Sequence, residues 1–177
     1  RQMCIRDRLS ELDQARASLQ QVAHFDALTS LLNRRGFNQI FAEKVAEKTA
    51  GHGMMAVIFL DIDHFKRIND SLGHDAGDQL LTVLAGHIKG SVRSHSDVVA
   101  RFGGDEFCIL INIHHRDEAR HLAQRIMHKM KEPIELAGRR MVMTTSIGIS
   151  LFPDDGLTCE ELLKTADLAL YLSLIHI

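Results

Sequence analysis

Residues 97–111 constrain this chain more than any other stretch, because two apolar runs meet there across a glycine pair and two carboxylates. Asp97-Val98-Val99-Ala100-Arg101-Phe102 has β-branched character, and Phe107-Cys108-Ile109-Leu110-Ile111 is almost wholly apolar. Both are expected as buried strands. Gly103-Gly104 joins them into a β-hairpin, since adjacent glycines reach the positive φ angles of tight primed turns. The same glycines leave bare backbone against which a bulky ligand can lie. Asp105 and Glu106 then sit at the hairpin tip, within reach of a cation. Gly-Gly-Asp is also an ordinary turn composition, so alone it fits a structural turn as well as a site.

A second acidic cluster shifts that balance. Met54 to Leu60 is a continuous apolar run, expected as a strand covered on both faces, and it ends in Asp61-Ile62-Asp63. Alternation puts Asp61 and Asp63 on one side and Ile62 on the other. Carboxylates at the end of a buried strand are costly to dehydrate unless paired or metal-bound. Asp61, Asp63, Asp105 and Glu106 together make a candidate site for a hard cation, Mg²⁺ or Mn²⁺, of the kind completed by substrate phosphates.

The segment after this strand begins with helical spacing, Phe65, Ile68 and Leu72 sharing a face, so that Lys66 and Arg67 project toward the strand end. A cation there suits a polyphosphate; a solvated basic helix end is the plain alternative. Asn69 and Asp78 flank the break at Gly73. Asn offers donor and acceptor and Asp accepts, a pair suited to the edge of guanine. Equally, Asp75 or Asp78 could start the helix that continues through Gln79-Leu80-Leu81.

Several ordered motifs now resemble one family. "FDALTSLLNRRGF" from Phe25, "FLDIDHFKRINDSLGHDAGDQLL" from Phe59, "RFGGDEF" from Arg101, "TSIGIS" from Thr145 and "ADLALY" from Ala166 are similar to the GGDEF domain, the catalytic module of diguanylate cyclases. The resemblance implies an α/β (α+β) fold related to the polymerase palm and the nucleotide cyclases, and the element pattern agrees. Helices are expected over 33–49, 77–92, 116–131 and 158–171, a strand from Met54, the glycine hairpin, and a strand over 141–151. That order fits a β-α-β-β-α-β core with added elements.

The implied reaction joins two GTP molecules into cyclic di-GMP and releases two pyrophosphates. Each 3′-hydroxyl attacks the α-phosphorus of the other nucleotide, so two sites must face each other in a homodimer. By resemblance, Asp61, the Ile62 carbonyl and Asp105 hold Mg²⁺ (or Mn²⁺), with Glu106 assisting. Asp105 is also a candidate to take the proton, and Lys66 balances phosphate charge. Asn69 and Asp78 read guanine, Gly103 and Gly104 admit the nucleotide, and Phe65 and His74 belong to the substrate-binding segment. Asp63, His74, Asp75 and Arg101 lie in the motifs with a structural role equally open.

The chain departs from the family pattern in places. Many members carry an Arg-x-x-Asp site that binds product; here Asp97 holds the last position, Ser94 stands at the Arg position, and Arg93 is one place out of register. Weak or absent feedback through this degenerate site is expected. Ser30 and Leu32 stand where Gly and Pro are usual, which bears on the turn into the first helix. Downstream of "ALY" the family has a Lys and a Gly-Arg pair that contact the terminal phosphate, whereas this chain ends Leu172-Ser173-Leu174-Ile175-His176-Ile177. Back-translation of the first seven and last six residues yields nearly reverse-complementary strings resembling a sequencing-library adapter. Residues 1–8 and 172–177 are therefore expected to be non-native.

Between them lie an expected helical stalk end over 9–25 and the GGDEF domain over 26–171. Leu12, Ala15, Leu19 and Val22 form a short coiled-coil-like stripe, which either pairs two chains or packs on its own domain. The chain has 177 residues, 45% of them hydrophobic, enough for one core. A net charge of −2 provides no electrostatic case for a nucleic-acid partner. With Cys4 in the suspected adapter, Cys108 and Cys159 make no disulfide framework, consistent with a cytoplasmic domain, while a parent protein could carry a membrane anchor or sensor upstream and a phosphodiesterase domain downstream. The competing function is a GTP-binding regulatory module in such a tandem protein; a purely structural module would leave the carboxylates unexplained.

Overall fold

The computed structural model describes residues 23–49 and 53–175, so the stalk stripe and both outermost ends lie outside the described residues. The elements are α1 (Arg34–Thr49), β1 (Met54–Ile62), α2 (Phe65–Leu72), α3 (His74–Ser91), β2 (Val98–Gly103), β3 (Glu106–Ile113), α4 (Asp117–Met130), β4 (Ile134–Leu136), β5 (Arg139–Met141), β6 (Thr145–Phe152) and α5 (Cys159–Ile175). The main sheet runs β2-β3-β1-β6, with every neighbouring pair antiparallel, and β4-β5 form a separate hairpin.

The period of two along β1 sorts the core into two layers. Ala56, Ile58, Leu60 and Ile62 pack with Leu80, Leu84 and Ile88 of α3 and Leu122 and Ile126 of α4. Met55, Val57 and Phe59 pack on the opposite face with Phe37 and Phe41 of α1 and Leu162, Ala166 and Leu170 of α5. Asp61 continues this second set, so its carboxylate belongs to the α1/α5 side. A side chain on Gly148 of β6 would collide with the Ala166 carbonyl. Its absence seats α5 directly on the sheet, with the next residue, Asp167, above the end of β1.

Four local expectations are corrected. The run before the glycines is an edge strand, half-buried except at Ala100, because only β3 pairs with it. The tight turn is Gly104-Asp105, since Gly103 still pairs with Glu106 past a register shift; both glycines hold positive φ, 137° and 51°. The helix expected from Gly77 begins at His74, with Gly73 as its N-cap, so neither Asp75 nor Asp78 starts it. The strand expected over 141–151 is two elements, because Ala137 and Gly138, both at positive φ, fold residues 134–141 back on themselves before β6 begins.

Candidate functional site

Register assembles the acidic site. On β1, Asp61 lies opposite Glu106 of β3 and opposite Ser146 of β6, while Asp105 occupies the adjoining turn. Burial first, then the negative charges of Asp105, Glu106, Asp63 and Asp167, push the Asp61 carboxyl up to about 6. Glu106 is also raised, by partial desolvation and by Asp105 and Asp167, against an opposing pull from Arg34. The carboxylates thus crowd together with little compensating charge.

Asp63 is engaged differently: its Oδ1 accepts a 2.7 Å hydrogen bond from Ser146 Oγ, and its N–H donates to the Thr144 carbonyl. Among the described residues, no three His, Cys, Asp or Glu side chains converge as a metal-holding set. The chain offers Asp61, Asp105 and the Ile62 carbonyl rather than a closed cage. Their oxygen chemistry, and the burial and neighbouring negative charge that lift Asp61, fit a hard cation.

The hairpin tip is held from outside. Arg101 Nε and Nη2 donate to the Gly104 carbonyl at 3.1 and 2.7 Å, and Nη1 donates to both Asp26 oxygens at 3.1 and 3.0 Å. Asp26 Oδ1 also receives the Thr29 N–H and hydroxyl. Burial raises the Asp26 pKa, but these bonds and Arg101 outweigh it and leave the net shift downward. Ser30, in the same turn, has φ 56°, a left-handed conformation in which the glycine usual at this position is unstrained.

On α2, Lys66 is exposed and Asn69 half-buried; His74 and Asp78 are exposed on α3, and half-buried Phe65 packs against the core. A Cβ on Gly77 would strike Asn69 Oδ1 and approach the Phe65 ring, so this glycine lets α2 and α3 close together. Asn69 Oδ1 is buried with no hydrogen-bond partner. It thereby sits beside the turn of α3 that carries Asp78. Arg67 does not join Lys66: it lines a separate cavity on the other side of α2, because consecutive helix residues diverge by 100°.

A larger cavity of about 660 Å³ runs from Glu106 between α1 and α5 over Phe59 and Phe102. Arg34, Asn38, Lys164 and Asp167, none singled out from sequence as site residues, line it. Arg34 stands 5.5 Å from the Phe102 ring centre. A signal was available for α5: Glu160, Leu163, Lys164 and Asp167 recur at helical spacing on one face.

At Asp97, the position expected to bind product, the chain's own residues pair with one another. Arg93 Nε donates to Asp97 Oδ2 at 3.2 Å, its backbone N–H donates to the same oxygen, and Nη2 donates to the Asn112 carbonyl. The Asp97 side chain is only 3% exposed. The out-of-register arginine therefore does reach Asp97, but as an internal ion pair.

A sheet of order β2-β3-β1-β6 with helices on both faces and paired carboxylates at one end defines a nucleotide-cyclase-like palm domain. The model of the family described as diguanylate cyclase, GGDEF domain, matches residues 23–174, and the chain belongs to that family. It is 57% identical over 166 residues to the cyclic di-GMP phosphodiesterase NbdA of Pseudomonas aeruginosa, covering 93% of this chain and 21% of that protein. It is 40% identical to the diguanylate cyclase TpbB of the same species, covering 93% of this chain and 38% of TpbB. The solved GGDEF domain of TpbB superimposes with a TM-score of 0.83 at 39% identity, covering 87% of this chain and 90% of that one. The chain thus spans between about a fifth and two fifths of these curated relatives. No helix among the described residues is long and apolar enough to cross a membrane.

Proposed function

We propose that this domain is a diguanylate cyclase module, condensing two GTP into cyclic di-GMP and two pyrophosphates across a dimer of facing sites. The observation that carries this is the electrostatic coupling of Asp61 to Asp105 and Glu106 at one sheet end, from which the chain leads directly into α2 with its Lys66 and Asn69. Asn69, with its unpartnered Oδ1, and Asp78 receive the guanine edge, while Phe65 and His74 border it. Gly103 and Gly104 leave the backbone bare for the nucleotide. Lys66 offsets phosphate charge. Asp61, the Ile62 carbonyl and Asp105, with Glu106 alongside, would hold Mg²⁺ or Mn²⁺, which when bound would supply Lewis-acid polarisation of the α-phosphate and acidify the attacking hydroxyl. Asp105 accepts the proton of that hydroxyl. Feedback through Asp97 is expected to be weak or absent, a reading that the internal Arg93–Asp97 pair supports.

A second reading, a GTP-binding regulatory module within a tandem protein, is favoured by the phosphodiesterase name of the 57% identical relative and by the bifunctional cyclase/phosphodiesterase MucR, 36% identical. Incubating the protein with GTP and Mg²⁺ and resolving the nucleotides separates the two. Cyclic di-GMP supports the cyclase; saturable GTP binding without product supports the regulatory module.

A further inference from the structure

A second cavity, of about 410 Å³, lies between α2 and the β5–β6 connection, lined by Asp63, His64, Arg67, Ile68, Ser71 and Leu72 on one side and residues 139–144 on the other. At 100° per residue, Arg67, Ile68, Ser71 and Leu72 fall on one face of α2, and Lys66 lies roughly opposite. The cavity is therefore back to back with the nucleotide-facing side of that helix. Its floor is apolar: Ile68 and Met143 are buried, and Leu72 and Met141 are half-buried against the core. Val142, 58% exposed, stands at the wall.

The rim carries Arg67, Arg139 and Arg140, all exposed, and among the described residues none of the three guanidiniums makes an ion pair. Glu135 stands opposite Arg140 in the β4–β5 register without closing a salt bridge. The one carboxylate in the lining, Asp63, already accepts the Ser146 hydroxyl. Three free cations around an apolar floor have complementary chemistry for one kind of guest: an apolar or planar body bearing an acidic group. The volume is in the range of small-molecule sites.

We propose that this cavity is a binding site for a small organic anion, a carboxylate, sulfonate or phosphate on an apolar or planar body, separate from the nucleotide site. The guest's acidic group meets Arg67 and the Arg139-Arg140 pair while its body covers Ile68, Met141 and Met143. No other part of the proposed catalytic cycle is required for this binding.

Two probes with the same rings test it on the whole chain: 8-anilino-1-naphthalenesulfonate and the uncharged N-phenyl-1-naphthylamine. Saturable one-site binding of the sulfonate is expected, with amide shifts at Ser71, Val142 and Thr144, and at least tenfold weaker binding of the neutral probe. The R67E/R139E variant should weaken sulfonate binding at least tenfold, and R67Q/R139Q, which introduces no new charge, should weaken it severalfold with the melting temperature retained. Equal affinity for the two probes, shifts confined to Arg34, Cys159 and Lys164 in the other cavity, or binding unaffected in a folded R67Q/R139Q variant would overturn the proposal. Because neither probe is a GTP analogue, this outcome is independent of whether the domain makes cyclic di-GMP.

Discussion

The two ends of the β2–β3 hairpin treat their carboxylates in opposite ways. At the base, Asp97 is buried under Arg93, and beside the tip Asp26 is clamped by Arg101 and Thr29. At the tip itself Asp105 and Glu106 adjoin Asp61 of β1, whose carboxyl is lifted to about 6 by burial first and then by their negative charge. A carboxylate that serves the fold is matched by a guanidinium in place. One whose charge is left unmatched raises its neighbours' pKa values and costs stability, which makes sense where a cation and a polyphosphate are to be accommodated.

The sharpest way to break this contrast is to neutralise Asp61. Asp61→Asn should lower cyclase turnover by about 10²–10⁴-fold, a range typical of lost acid–base and metal-assisted chemistry. In metal-free buffer its melting temperature should stay level or rise by about 2–4 °C, as repulsion is relieved. A fall in melting temperature would show that Asp61 is a structural carboxylate after all.

Asp26→Asn should do the reverse, costing about 1–3 kcal/mol in urea unfolding, because Arg101 loses its charged partner. The sign with pH follows from the lowered pKa of Asp26. Its folded form binds its proton less readily than the unfolded chain does, so its contribution is complete above the ordinary carboxylate range, about pH 4. That contribution is lost as pH falls through the lower folded value. The wild-type minus variant stability difference should accordingly shrink on acidification.

A smaller effect is expected at the base. Arg93 is 54% exposed, so Arg93→Ala should cost only about 0.5–1 kcal/mol by chemical denaturation. Calorimetry with cyclic di-GMP should detect no binding lost, since none is expected at that pair in the parent chain. An effect of similar size and opposite sign is expected from Ser30→Gly, which should stabilise by roughly 0.5–1 kcal/mol by relieving the left-handed strain in the Asp26 turn. No gain in the urea midpoint would mean that Ser30 is held there by something other than chain geometry.

Much of this was legible in the chain because it is local. The apolar run from Met54, the glycine pair and the spacing of Phe65, Ile68 and Leu72 act over a few residues, and the corresponding elements are present. Errors fell where a neighbour decides. Whether the run before the glycines was buried depended on its place at the sheet edge, and Met141 was drawn into a hairpin by the turn at Ala137-Gly138. Arg67 looked like a companion of Lys66 by adjacency, yet the helix carries it to the opposite cavity. Nothing near Arg34 in sequence marks it as a neighbour of Glu106, and the helical spacing that groups Asp167 with Glu160 and Lys164 does not say which strand end that face covers.

By itself the sequence determined which residues could be strands, turns and acids, and the family to which they belong, since side-chain period and glycine φ are set within a few bonds. Only the tertiary structure decided which charges meet. Asp61 opposite Glu106, Arg101 on Asp26, and Arg93 on Asp97 depend on register, on a contact spanning 75 residues, and on a turn that brings an arginine back to its neighbour. Electrostatic energy depends on distance through space, and burial sets how strongly it is felt, so an aspartate is clamped in one place and left unbalanced in another.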